Sequence, residues 1–294
     1  MKRIGFIDAL RIRGGTLKTR PLRWLDQQTI YVDPGGTGDY TTIQAAIDAV
    51  KAGSLVGRVI LLAPGTYIEN LSFSAFAIAG LTIKGSGQGL TKIQGSVVGA
   101  AAVVNITGLC TNMVLNFENI EFEQLSPATN ILACNATGVV TANFKDCKFT
   151  AQANTDLINW IPGANSTLRI GGSFRGKREY CLCAITIAAT AGATQVVYLG
   201  DIEVAGALTL NDADLTVIMD NVKVGGNLVV TAVNATNGLE LKGCYIVGSV
   251  TVTAGQAWWY PDSRADGVYV VAMPNIWRVR EPRQTYSTVG NIAL

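Results

Sequence analysis

Acidic side chains sit close together in two places: Glu118, Glu121 and Glu123 in one run, and Asp212 with Asp214 in another. Neighbouring carboxylates can divide acid and base roles when their surroundings separate their proton affinities, and clustered acids can hold calcium. In the first run the glutamates alternate with Asn119, Ile120 and Phe122, which predicts outward, solvated carboxylates on a strand. Asp212 and Asp214 read as a bend in the chain rather than an ion site. The chain has no histidine, so the commonest general base near neutral pH is missing and any catalysis would rest on carboxylates, Lys, Tyr or Arg. Its six cysteines (Cys110, Cys134, Cys147, Cys181, Cys183 and Cys244) form no CxxC pair and are expected as reduced, buried thiols. No metal ligand set and no cofactor site is predicted.

Two further groups could bind rather than react. Trp258, Trp259 and Tyr260 could stack on sugars or pack within a cap. Residues 1–26 carry Lys2, Arg3, Arg11, Arg13, Lys18, Arg20 and Arg23 against Asp8 and Asp26, a balance of +5 in a chain of net charge +2. A basic arm on a mildly acidic body suits an acidic docking surface. Aromatic residues are not interleaved with these charges, which disfavours nucleic acid. Gly85-Ser-Gly-Gln-Gly89 lacks the following Lys and helix of a phosphate loop and is expected as a turn.

Hydrophobic residues make up 49% of the 294 and charged residues 15%, enough for a sizeable core. The apolar runs are too short and Gly-rich to cross a bilayer. No signal peptide is read at the N-terminus, so assembly in a cytoplasm is expected. Three zones follow: a basic arm at 1–28, a body at 29–256, and a cap or interaction tail at 257–294. The body opens with a strand at Thr29-Ile-Tyr-Val32. A short helix over 41–52 comes next, with Thr41 or Thr42 as cap and Ile43, Ala46, Ile47 and Val50 on one face.

Beyond residue 80 a weak repeat emerges. It reads Phe117-Glu-Asn-Ile-Glu-Phe122, Phe144-Lys-Asp-Cys-Lys-Phe149, Leu199-Gly-Asp-Ile-Glu-Val204, Met219-Asp-Asn-Val-Lys-Val224 and Leu241-Lys-Gly-Cys-Tyr-Ile246, with a degenerate copy at Ile170. Starting positions lie 27, 26, 29, 20 and 22 residues apart. Each unit is expected to form one solenoid coil of two or three short strands, with Asn, Asp or Gly at the bend. An antiparallel sandwich is the competing architecture, but it demands frequent hairpin turns, and Asn237-Gly238 is the single Asn-Gly pair.

The stretch 31–96 resembles the pectin methylesterase and pectate-lyase-like superfamily. The resemblance is carried by Tyr31-Val-Asp-Pro-Gly-Gly-Thr-Gly-Asp39, Thr41-Thr-Ile-Gln-Ala-Ala-Ile47, Arg58-Val-Ile-Leu-Leu-Ala-Pro-Gly-Thr-Tyr67 and Leu81-Thr-Ile-Lys-Gly-Ser-Gly87. It implies an all-β, right-handed parallel β-helix with a short N-terminal capping helix and irregular terminal arms. The esterases work through two aspartates with glutamines at the oxyanion. Where their Gln-Asp-Thr-Leu run would fall, this chain has Asn154-Thr-Asp-Leu157. Gly200-Asp-Ile-Glu-Val204 only echoes the second motif, and the Arg-Pro-Trp motif is missing. No catalytic residue carries over.

Helices of this kind recur in bacteriophage virions. The expectation is therefore a non-enzymatic virion structural protein, a capsid decoration or cement protein, homotrimeric, docked on the major capsid protein or another virion protein. Its contact residues would be Arg3, Arg11, Arg13, Lys18, Arg20 and Arg23. Two alternatives stay open. One is a carbohydrate-active β-helix enzyme (polysaccharide lyase, esterase or tailspike depolymerase), and the other a non-catalytic glycan binder for host attachment.

Overall fold

The alternation of apolar and polar residues along each short segment sets one side chain in and the next out, the signature of a strand with one buried face. Met113–Glu118 and Val140–Lys145 both read buried, half-buried, buried throughout. A computed structural model describes residues 29–271 except 54–57, 97–100, 126–129, 152–157, 164, 172–178, 182–184, 188–194, 205, 212–214, 233–237, 254–256, 261 and 268. The basic arm, the Asp212 and Asp214 pair and the Asn154–Leu157 run lie outside the described residues.

Among the described residues the chain winds as a right-handed parallel β-helix. Every strand pairing is parallel; Thr29–Val32 pairs with the next strand, Val59–Leu62, and from there each strand pairs with the one three places further along the chain, save for one break on the third face. Sheet A runs from Thr29–Val32 through Val59–Leu62, Ala79–Lys84, Met113–Glu118 and Val140–Lys145 to Ala257–Trp259. Sheet B begins at Gly65–Ile68 and passes through Thr91–Gln94, Glu121–Gln124 and Lys148–Ala151 to Arg264–Ala265. The third face begins at Leu71–Ser74; its ladder breaks between Ile158–Trp160 and Ile185–Ile187, which remain neighbours, and resumes to Tyr269–Val271.

The bend from sheet A to sheet B explains the repeat. Asn119, Asp146, Asp201, Asn221 and Gly243 occupy the same place in five coils, with φ of 58°, 51°, 51°, 53° and 58°. This left-handed conformation is open to Gly and to Asn or Asp, and costs a β-branched residue more. The bends also join along the axis: the Asn119 amide donates to the Lys145 carbonyl, and the Asn221 amide to that of Lys242.

Inward side chains form one column. Its broad part is aromatic: Phe117 stacks on Phe144 at 4.9 Å, and Phe122 on Phe149 at 5.6 Å, with Phe117 edge-on to Phe122. Each buried Phe contributes about 1.5–3 kcal/mol through apolar burial. Farther along, the column is filled by Val, Leu, Ile and Met, such as Leu215, Val217 and Met219. The aliphatic coils are the shorter ones: Phe117 registers with Phe144, 27 residues on, whereas Leu241 registers with Trp259, 18 on.

The column also ends later than the sequence suggests. The repeat is lost to the eye near residue 256, yet Ala257–Trp259, Arg264–Ala265 and Tyr269–Val271 each pair in parallel with the coil before. Bulky Trp and Tyr side chains and Pro261 obscure the alternation there, although Ala257 and Ala265 still fill the inward positions.

The N-terminal end is covered as expected by the helix Ile43–Ala52, which buries Ile43, Ala46, Ile47 and Val50. The Thr42 side chain accepts from the Ala45 amide. The Glu69 carboxylate also reaches the helix start, accepting from the Ile43 and Gln44 amides at 2.9 Å each. A carboxylate there satisfies free N–H groups and meets the positive end of the helix dipole.

Candidate functional site

The three glutamates singled out by sequence are carried on two sheets that flank one bend. Glu118 ends a sheet A strand and meets Lys84 at 3.1 Å. Glu121 and Glu123 lie on the outer face of sheet B, one either side of inward Phe122. They were expected to be solvated; instead Glu121 is 6% exposed. Lys92 from the coil before and Lys148 from the coil after each approach its Oε1 to 3.4 Å. Lys92 also meets Glu123 at 3.0 Å, and the Gln94 amide donates to the same Glu123 oxygen at 2.9 Å.

Parallel register places these charges together. Lys92, Glu121 and Lys148 are cross-strand partners in one row, and Gln94, Glu123 and Thr150 in the next. One coil separates each member of a row from the next, so the signal in sequence was available: 92, 121 and 148 are spaced by about one repeat length. Along a single strand it is invisible, because each partner lies one coil away in sequence.

The geometry decides what the group can do. Lys92 is held in its charged form, its proton affinity raised first by the hydrogen bond to Glu123 and further by the charges of Glu121 and Glu123, against a smaller burial cost. It is thus no free amine for nucleophilic work. Both carboxylates are engaged as acceptors of neighbouring coils, so the cluster acts as a charge clamp across three coils.

Other polar rows repeat the pattern. On sheet A, the Asn143 amide donates to Asn116 Oδ1 at 2.8 Å, and the Asn116 amide to Thr82 Oγ1 at 3.3 Å. The same row continues to Arg169, whose guanidinium lies 4.7 Å over the Tyr198 ring. Asp201, the echo of an esterase aspartate, sits at the left-handed bend and accepts from the Asn221 amide at 2.6 Å. Among the described residues no group of three His, Cys, Asp or Glu is placed to hold a metal ion, and no helix is long and apolar enough to span a membrane.

The aromatic triplet is divided by its strand. Trp258 registers with outward Glu240, while Trp259 registers with inward Leu241; the Trp259 side chain lies outside the described residues. Tyr260 is 40% exposed, and its ring lies 5.0 Å from Lys242 Nζ. Lys242 is itself paired with Glu240 at 2.8 Å. The ring is thus already in contact with a cation.

No protein-family model matches the chain, and no curated protein sequence does. Among solved structures, the chain is similar to the pectin methylesterase from carrot at 14% identity, covering 89% of this chain and 88% of that one, with a TM-score of 0.43. It is likewise similar to pectin methylesterase PemA from Erwinia chrysanthemi at 13% identity, covering 89% and 92%, again at 0.43.

Proposed function

We propose that this chain is a non-enzymatic structural protein of a bacteriophage virion, a capsid decoration or cement protein anchored by its terminal arms. The observation that carries the reading is the clamped state of Glu121 between Lys92 and Lys148. Carboxylates that chemistry would need free are used to tie coils together. A stiff column with paired surface charge suits a rigid knob on a particle, and the basic residues Arg3, Arg11, Arg13, Lys18, Arg20 and Arg23 suit attachment to the major capsid protein.

Two measurements test the reading. Deleting residues 2–26 should release the protein from particles while its β-sheet circular dichroism is retained; full occupancy after the deletion rejects the arm's role. A screen on pectin and bacterial capsule polysaccharides should show no turnover. Turnover abolished by one Asp→Asn change would assign the chain to the carbohydrate-active enzymes instead.

A further inference from the structure

The N-terminal end of the column presents three strand edges, and two are covered. The edge of Thr29–Val32 is closed by the following turn, where the Asp39 and Tyr40 amides donate to the Tyr31 carbonyl and the Tyr31 amide donates to Asp39. The edge of Leu71–Ser74 is closed by side chains from the helix. Gln44 both accepts from the Ser72 amide and donates to its carbonyl, and Lys51 donates to the Ser74 carbonyl at 2.6 Å.

The third edge is open. Gly65–Ile68 is the terminal strand of sheet B and pairs on one side with Thr91–Gln94. Gly65 and Glu69 direct their amides to that partner. Thr66 and Ile68 point theirs the other way, where no backbone partner is present among the described residues. Ile68, which registers with Gln94, is 68% exposed, an apolar side chain on a strand whose outer N–H and C=O groups have no backbone partner among the described residues. An edge of this kind is a template for an added strand.

Charge narrows the occupant. Asp33 and Glu69 both act electrostatically on Tyr67, which stands between Thr66 and Ile68. Residues 29–70 hold Asp33, Asp39, Asp48 and Glu69 against Lys51 and Arg58. Two such ends repel each other, so self-pairing of this edge is disfavoured, while a basic extended segment is favoured. Leu10-Arg-Ile-Arg13 alternates apolar and basic residues within the arm.

We propose that the Gly65–Ile68 edge takes the basic N-terminal arm of a second copy as an added strand, with Ile68 as its apolar contact. One donor arm and one acceptor edge per chain make the contact head-to-tail, so it joins copies into a ring where the rotation closes and into an open chain where it does not. The inference rests on the arm as a docking element, as above, but not on the virion, since it concerns the purified chain alone.

Sedimentation equilibrium of the full chain should give a multiple of 31.0 kDa, and of the 2–26 deletion a monomer. Ile68→Lys, a charge on a solvated face, should return the full chain to monomer with its circular dichroism unchanged. A labelled peptide of residues 2–13 should bind the deletion chain, and at least tenfold more weakly after Ile68→Lys. Thr66→Pro, which removes an edge N–H, should act likewise. A monomeric full chain, a multimer that survives Ile68→Lys with the fold intact, or peptide binding indifferent to Ile68 would each overturn the proposal. Loss of particle binding with the multimer intact would fault the virion reading alone.

Discussion

Cys147 and Cys244 occupy the same place in two different coils. Each thiol lies 3.5 Å from a carbonyl of the preceding coil, Phe117 for Cys147 and Met219 for Cys244. Each also reaches the carbonyl two residues before it, Lys145 at 3.4 Å and Lys242 at 3.2 Å. The thiol therefore tethers a bend as well as filling the column, where Ile120, Ile202 and Val222 only fill it. Alanine at either position should cost about 1–2 kcal/mol in denaturant unfolding, combining lost volume and a lost weak hydrogen bond.

Two buried thiols, Cys134 and Cys244, should be inert in the folded protein. Burial pushes the Cys134 thiol up to about 12 and that of Cys244 up to about 11. The thiolate is the reactive form. Mass-spectrometric mapping after alkylation at pH 8 should find Cys134 and Cys244 unmodified until denaturant is added. Labelling of either at the rate of a free thiol would contradict the burial described here.

Alkaline pH should weaken the fold. Lys92 and these two cysteines all hold their protons more tightly in the folded chain than in the unfolded one. Their contribution is complete below the ordinary thiol value of 9.0, declines from there, and is lost for Lys92 as pH rises beyond its ordinary 10.5. Urea midpoints measured from pH 8 to pH 11 should fall. Lys92→Met should lower stability by about 1–2 kcal/mol at pH 8, because Glu121 then keeps one lysine in place of two, and should flatten the alkaline decline.

Asn221 should tolerate Gly and reject Val. Its φ of 53° is open to glycine, whereas a β-branched side chain there costs about 1–2 kcal/mol. Thermal unfolding of Asn221→Gly close to the parent, beside a clear loss in Asn221→Val, would separate backbone conformation from the hydrogen bond that Asn221 makes to Asp201. Equal losses would assign the cost to that hydrogen bond instead.

Gln124 is fully buried, and among the described residues neither polar atom of its side-chain amide has a hydrogen-bond partner. A buried polar group left unpaired costs about 1–3 kcal/mol, so Gln124→Met, similar in volume, should raise stability by about 1 kcal/mol in urea. A fall would mean that the amide is met by a group such as bound water.

The solenoid was legible because its bends demand one kind of residue. Asn119, Asp146, Asp201, Asn221 and Gly243 fall at a fixed place after the sheet A strand, and that conformation filters for Asn, Asp and Gly whatever else varies. The capping helix was legible for a similar local reason, its apolar face and Thr42. The Glu121 clamp was not, because its partners come from the coils on either side, and sequence distance hides a contact set by parallel register. Nor was Glu69 at the helix start, which lies 26 residues from Ile43. The last coil was hidden by size: Trp258 faces outward and breaks the visual rhythm while the register continues.

The shrinking circumference gives this molecule a mechanical direction. Where interlocked rings fill wide turns, detaching one turn strips large surfaces at once. At the other tip the turns are short and the inward side chains described there are mostly aliphatic, so each can peel with less resistance. Under tension along its length the rod should shorten from its narrow tip, turn by turn, while the aromatic section stays whole.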